Sequence, residues 1–565
     1  MLKAGFILRV TFFTSILRIK FAKNRFKKKR GLSVVLFKKS IGNRGIKNKP
    51  SKPKNPSQHQ PYTRKLSIQL EENLQEIKET LGFSEDIIIR EFRIGREKSI
   101  KASIIFADGL VDTVSNQEFI LESLMKDFPQ ADANMISMED LVLTIKETTL
   151  TVAEAKDITD YPLLYESLLS GHVILLINGH SVGLAISMKG GKERSVTEPS
   201  TENSIRGPRE SLTENIRVNT ALIRRKINNP NLWLESRKIG KQTKTNVSLM
   251  YIKGIANEKV IEEVRSRLDR INIDSILDSL YIEEFIQDTT FTPFPTIYHS
   301  ERPDVVAANL LEGRIAILVD GTPFVLIVPA IFVQFLHAPD DYYSRADITT
   351  LLRILRFIGI LIALLGPSVY IAITTFHQEM LPTPLLFSLA AQREGVPFPA
   401  FIEALMMEVT FEILRESGLR LPKAIGQAVS IVGTLVIGTA AVEAGIVSAA
   451  MVIVVSITAI SSFIVSSYNL SISIRMLRFP FMGLAALFGF FGITFGVTAV
   501  ILHLCSLKSF GVPYMLPIAP YMKENQQDAL FLFPRWAQST RQRLFSPRNI
   551  KKEDSDIPKW GQGKN

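Results

Sequence analysis

The chain has 565 residues, 46% of them hydrophobic, with a formal net charge of +12 and one cysteine. That charge would suit a nucleic-acid binder until it is located. Residues 1–60 hold 17 Lys or Arg and no Asp or Glu, leaving 50 basic against 55 acidic residues beyond them. The lone Cys505 excludes a disulfide framework and Cys-based metal sites.

Taken in chain order, residues 1–64 read as a basic, disordered extension rich in Lys, Pro and Asn, including Lys27-Lys28-Lys29-Arg30. Two readings fit it: a solvated extension, or a tail attracted to anionic lipid headgroups. Residues 5–17 are apolar, but Arg9 interrupts them and no small-residue cleavage site follows, so the N-terminal half is expected on the cytoplasmic side.

Residues 65–345 contain two units that resemble one another. Leu168 to Ala185 aligns without gaps on Leu310 to Ile327, with six identities in 18 pairs. Each copy reads as a buried strand, an Asn178-Gly179 or Asp320-Gly321 turn, and a second apolar strand, which is a hairpin. A shorter echo, Ile104 to Gly109 against Leu249 to Gly254, precedes helical periodicity at Asn116–Phe128 and Glu258–Asp269. The expected fold class is therefore a soluble α+β N-terminal region of two tandem repeated subdomains, 65–190 and 245–345, followed by an all-α multi-pass membrane domain. The linker 191–244 is polar; Arg194, Arg206 and Arg209 beside Ser and Thr hydroxyls fit either an anion site or ordinary surface charge.

An enzyme is not expected, nor a cofactor or a metal. The seven His are scattered, and neither a nucleophile elbow nor a phosphate loop occurs.

From 346 to 508 the composition changes. Phe357–Phe376, Ala424–Val442, Ala444–Ile474 and Phe479–Leu507 contain no Asp, Glu, Lys or Arg, and about 20 apolar residues suffice to cross a bilayer. Pro367 should kink or break the first span midway. Glu408, Glu412 and Glu416 fall on one face of an apolar helix; they form either the wet side of an interfacial helix or, with Glu443, an acidic vestibule. Gln427, Ser430, Thr434 and Gly438 make one small or polar stripe along 424–442. That stripe serves helix packing or lines a water path. Four crossings and a re-entrant element, or five crossings, both fit the charge distribution; the polar tail 509–565 changes side between them.

These residues resemble the spore germination protein A family, the A subunits of GerA-type nutrient germinant receptors. The resemblance covers about 65–515. It rests on strings such as Arg194-Ser195-Val196-Thr197-Glu198-Pro199, Ser300-Glu301-Arg302-Pro303-Asp304, Pro339-Asp340-Asp341-Tyr342-Tyr343 and Glu412 to Pro422. It implies a spore inner-membrane protein acting with a multi-span B subunit and a lipoprotein C subunit, as a ring-shaped homo-oligomer that conducts ions. No nucleic acid, cofactor or catalytic residue is implied. A secondary transporter and a non-conducting scaffold remain the rival functions; against the transporter, the only repeat lies outside the membrane half.

Overall fold

The computed structural model describes residues 64–94, 100–111, 155–188, 198–199, 201–202, 204–420, 438–538, 540–541 and 545–546. The basic extension, the 116–128 helix and the stripe residues Gln427, Ser430 and Thr434 lie outside these.

The first sheet is built from β1 (Ile87–Ile94), β2 (Ile100–Ala107), β3 (Ala155–Ile158), β4 (His172–Ile177) and β5 (Gly183–Ser187), in spatial order β1-β2-β4-β5-β3. The second uses β6 (Leu232–Ile239), β7 (Thr245–Ile252), β8 (Tyr298–Ser300), β9 (Ile315–Val319) and β10 (Val325–Val328), in the corresponding order β6-β7-β9-β10-β8. All pairings are antiparallel, and aligned residues take equivalent registers: Ile105 faces Ile174 as Met250 faces Ala316. The aligned hairpins are β4–β5 and β9–β10.

Helices cover the sheets in matching places. α1 (Leu70–Thr80) and α2 (Tyr161–Leu169) pack on the first sheet. On the second lie α3 (Ile216–Lys226), α4 (Glu258–Asp269), α5 (Ser279–Ile286) and α6 (Pro303–Leu311); α3 and β6 fall inside the expected linker 191–244, so the second repeat begins before residue 245. The Asn-Gly and Asp-Gly turns have a second use. Asn178 Oδ1 accepts from Leu70 N (3.1 Å) and Asp320 Oδ1 from Ile216 N (3.2 Å). Each hairpin tip thereby satisfies an orphan donor at the start of its repeat's first helix. The repeats join through the buried pair Arg224–Asp86, whose second contact, Nη2 to Oδ1, is 2.9 Å.

The C-terminal region is helical: α7 (Ala346–Thr375), α8 (Thr383–Glu394), α9 (Ala400–Arg420), α10 (Gly438–Glu443), α11 (Ala449–Phe463) and α12 (Tyr468–Ser506). Three sequence expectations need correction here. First, Pro367 does not break α7. Proline removes the hydrogen bond to the carbonyl four residues back, which is that of Ala363, and Arg478 Nε donates to Ala363 O instead (2.8 Å). Second, Ala444–Ile474 is not one span; the chain leaves helical geometry between α11 and α12. Third, Phe479–Leu507 does not continue as one helix, because Gly489 (φ 58°, ψ −138°) turns the chain back on itself. A Cβ at Gly492 would lie 2.2 Å from Leu484 O, and one at Gly496 would lie 2.8 Å from Phe481 Cε1. Only glycines allow the two arms of α12 to approach this closely. The hairpin tip rests against Phe376 and His377, just beyond the end of α7.

Candidate functional site: the junction of the second repeat with the helices

One apolar core passes from the second sheet into the helices. It contains Leu222, Met250, Tyr298, Leu310 and Phe335 of the α+β part together with Ile360, Ala363, Leu470, Ile474 and Leu504 of α7 and α12. Both ends of the α12 hairpin return to the second repeat: Ser473 Oγ donates to Pro293 O, and His503 Nε2 lies 2.9 Å from Thr292 Oγ1. The C-terminal segment closes the same side, with Tyr514 OH donating to Pro295 O (2.7 Å) and Ser509 Oγ to Thr296 O (2.8 Å).

Charge is concentrated where α7 begins. Asp341, in the single turn Pro339–Tyr342, receives Arg353 Nε (3.1 Å) and Arg356 Nη1 and Nη2 (3.0 and 3.2 Å). Burial alone would raise the Asp341 carboxyl, but hydrogen bonds from Arg356 and both guanidinium charges hold it below the ordinary range. Arg353 Nη1 also donates to Asp528 Oδ1 (2.9 Å), whose other oxygen accepts from Tyr342 OH (2.8 Å). The Ser300–Asp304 string anchors the linker beside this cluster. Glu301 Oε1 accepts from Thr201 N (2.6 Å), Arg302 Nη2 donates to Pro208 O (2.8 Å), and Tyr343 OH donates to Asp304 Oδ2 (2.5 Å). Arg206 and Arg209 are exposed, and Arg209 pairs with Glu198 at 3.1 Å.

Deeper among the helices lies a second set of charges. Glu408 of α9 and Arg478 of α12 form an ion pair in which both side chains are at most 1% exposed. One turn along, Arg475 Nη1 donates to Glu412 Oε2 (2.5 Å). Near the start of α9, Glu403 Oε1 accepts from Ser448 N and Oγ (2.6 and 2.5 Å). Each of these three glutamates keeps a buried oxygen without a hydrogen-bond partner: Glu403 Oε2, Glu408 Oε1 and Glu412 Oε1.

Within this chain, then, the carboxylates Glu408, Glu412, Glu416 and Glu443 are not gathered into a single acidic opening. Glu408 and Glu412 are matched by arginines from a helix about 65 residues downstream, the separation of contacts that sequence periodicity does not encode. Glu416 pairs with Arg420 one turn along on the exposed surface, and Glu443 is exposed at the end of α10. Of the stripe, Gly438 alone is described; it is buried, and a Cβ there would meet Val452 at 3.8 Å. Sequence reading missed Glu403 as a buried acceptor, Arg475 and Arg478 as its neighbours' partners, and Asp341 as the hub at the head of α7. The available signal was the presence of arginines within otherwise apolar sequence.

The structure thus defines an α+β region of two sheets joined by a shared core to an apolar helical region, in which α7 and α12 are apolar enough in composition to meet lipid. The family model described as "Bacillus/Clostridium GerA spore germination protein" matches residues 75–544, and the chain belongs to that family. It is 50% identical over 489 residues to Spore germination protein KA of Bacillus subtilis (strain 168), covering 86% of this chain and 88% of that protein. It is 46% identical to the uncharacterized membrane protein YfkQ of the same organism, covering 86% and 94% respectively. Among solved structures, the N-terminal domain of the A subunit of the Bacillus megaterium spore germinant receptor GerK3 matches at 47% identity and a TM-score of 0.40, covering 48% of this chain and 99% of that domain.

Proposed function

We propose that this chain is the A-type subunit of a spore germinant receptor, a multi-pass protein of the spore inner membrane that converts a nutrient signal into ion release. It would do so as a ring of copies, together with B-type multi-span and C-type lipoprotein subunits. The observation that carries the transducing role is the continuous core between the second repeat and the helices. With Asp341 clamped to two arginines of α7, a displacement of the α+β part is transmitted to α7 and α12 as packed groups and not through a loose tether.

Exposure supports the membrane assignment. Only 28% of the most apolar stretch of α12 is buried, and Phe491 and Phe495 are 76% and 64% exposed. Water would not tolerate such a surface, whereas lipid does. Six crossings fit this reading: α7, α9, the apolar run 424–442 taken from the sequence, α11, and the two arms of α12. Arm lengths of roughly 17 to 21 residues, about 25–30 Å at the helical rise, match a hydrocarbon core. In this arrangement Arg345, Arg420, Arg475 and the C-terminal segment lie with the α+β region, as the positive-inside rule asks of a cytoplasmic face.

For permeation, the stripe Gln427, Ser430, Thr434 and Gly438 would line the shared axis, and the unpartnered oxygens of Glu403, Glu408 and Glu412 would form a polar track beside it. Ion flux in liposomes containing the receptor tests this. Leu at 427, 430 or 434 should reduce the flux, and unchanged flux in all three variants removes the pore assignment. Cysteine labelling after replacing Cys505 tests the crossings: probes at Glu379 and Glu443 should react from outside and one at Glu416 should not. Equal reaction of all three excludes the six-crossing topology.

A further inference from the structure

We propose that the cavity between the second repeat, the Pro339–Tyr342 turn and the C-terminal segment is a binding site for a small organic carboxylate, received by Arg314. The cavity measures about 270 Å³, just under the roughly 300–1,000 Å³ of small-ligand pockets.

Arg314 precedes β9, and its side chain is buried at 6% exposure. Nη1 donates to Gln334 Oε1, and the Phe545 ring centroid lies 4.7 Å from Cζ. Nε is buried without a partner, and among the described residues no carboxylate stands within ion-pair distance of Arg314. A desolvated cation is costly to keep, and burial pulls this guanidinium down to about 10 against the opposing charge of Glu312. At the aligned position the first repeat has His172, half-buried, with Nδ1 3.0 Å from Ser167 O.

Three carboxylates line the same cavity: Asp304, Asp528 and Glu312, the last near enough for its charge to favour the Arg314 cation. Asp304 Oδ2 takes Tyr343 OH (2.5 Å) and Arg302 Nη2 (2.9 Å), and Asp528 takes Tyr342 OH and Arg353. A guanidinium edge with a free N–H suits a planar carboxylate, while Tyr298, Val305, Leu311 and Ile331 offer an apolar wall for its organic body. Because Asp528 both lines the cavity and holds Arg353 of α7, the occupant would lie two contacts from the helices.

The site is independent of the conduction reading and is tested by binding alone. The full chain, purified in detergent, is titrated with sodium benzoate at constant ionic strength and followed by calorimetry and thermal unfolding. Benzoate should bind saturably, and its neutral isostere benzamide should not. Arg314→Gln should abolish binding. Since that change touches a buried residue, Ala308→Trp, at an exposed position on the cavity wall, serves as the second variant and should weaken binding at least tenfold. No saturable benzoate binding, equal affinity in Ala308→Trp, or binding of inorganic phosphate in preference to benzoate would each overturn the assignment.

Discussion

The two repeats share strand order, register and hairpin capping, yet they close their cores differently. In the first, α1 and α2 pack Leu74, Ile77, Leu164 and Leu168 against Ile105 and Ile174, and that cluster ends within the repeat. In the second, the equivalent face carries α3 and α6, and its cluster continues through Phe335 into Ile360, Leu470 and Leu504 of the helical region. At aligned positions the first repeat places a half-buried histidine, His172, and the second a buried arginine, Arg314, in a cavity. A common scaffold has thus been given one self-contained copy and one copy whose core is shared. Function follows what covers the face and not the fold of the face itself.

The sharpest way to break this comparison is at the far end of the shared core. Arg478→Ala leaves Glu408 buried and unpaired and Ala363 O without its donor; it should cost about 3–5 kcal/mol as measured by thermal unfolding in detergent. Replacing both Glu408 and Arg478 with Met should recover much of that loss. If single and double variants unfold alike, the pair does not hold the helices together. Somewhat smaller is Asp86→Ala, which strands buried Arg224 between the repeats and should cost about 3 kcal/mol. Hydrogen exchange should then rise along α3 and β1, and unchanged protection there would mean that the repeats do not rely on this contact.

The two hairpin tips permit a matched test. Asn178→Ala and Asp320→Ala each remove one acceptor at a helix start and should each cost about 1 kcal/mol. Exchange in α7 should increase for Asp320→Ala and not for Asn178→Ala. Equal responses would show that both cores communicate with the helices.

The mildest effect is pH-dependent. Burial pushes the Glu202 carboxyl up to about 7 despite the hydrogen bond from Ser300 Oγ. A carboxyl with a folded-state pKa above its unfolded value binds its proton more tightly when folded. Its contribution is therefore present in acid and declines as pH rises from about 4.5 through about 7. Unfolding midpoints of the full chain across that range should fall more for the native sequence than for Glu202→Gln. Parallel curves would remove Glu202 as the cause.

Much of the α+β region was legible because its signals are local. Alternating apolar residues around Asn178-Gly179 and Asp320-Gly321 identify the hairpins, and the 3–4 spacing at Glu258–Asp269 marks α4 with the bounds it has in the fold. The helical region was legible as apolar material and not as topology. Nothing in hydropathy separates Gly489, which reverses the chain, from Gly483, which sits inside a helix, because the distinction is a backbone angle set by packing on Phe376 and His377.

By itself the sequence determined the family, the repeated α+β architecture and the presence of long apolar helices, since each depends on residue order or on periodicity over a few turns. The tertiary structure decided which charges meet. Glu408 with Arg478, Asp341 with Arg353 and Arg356, and Arg314 with the cavity it lines depend on elements folded against one another. Whether a buried charge is answered or left open is settled by position in space, because Coulomb and desolvation terms act across distance and not along the chain.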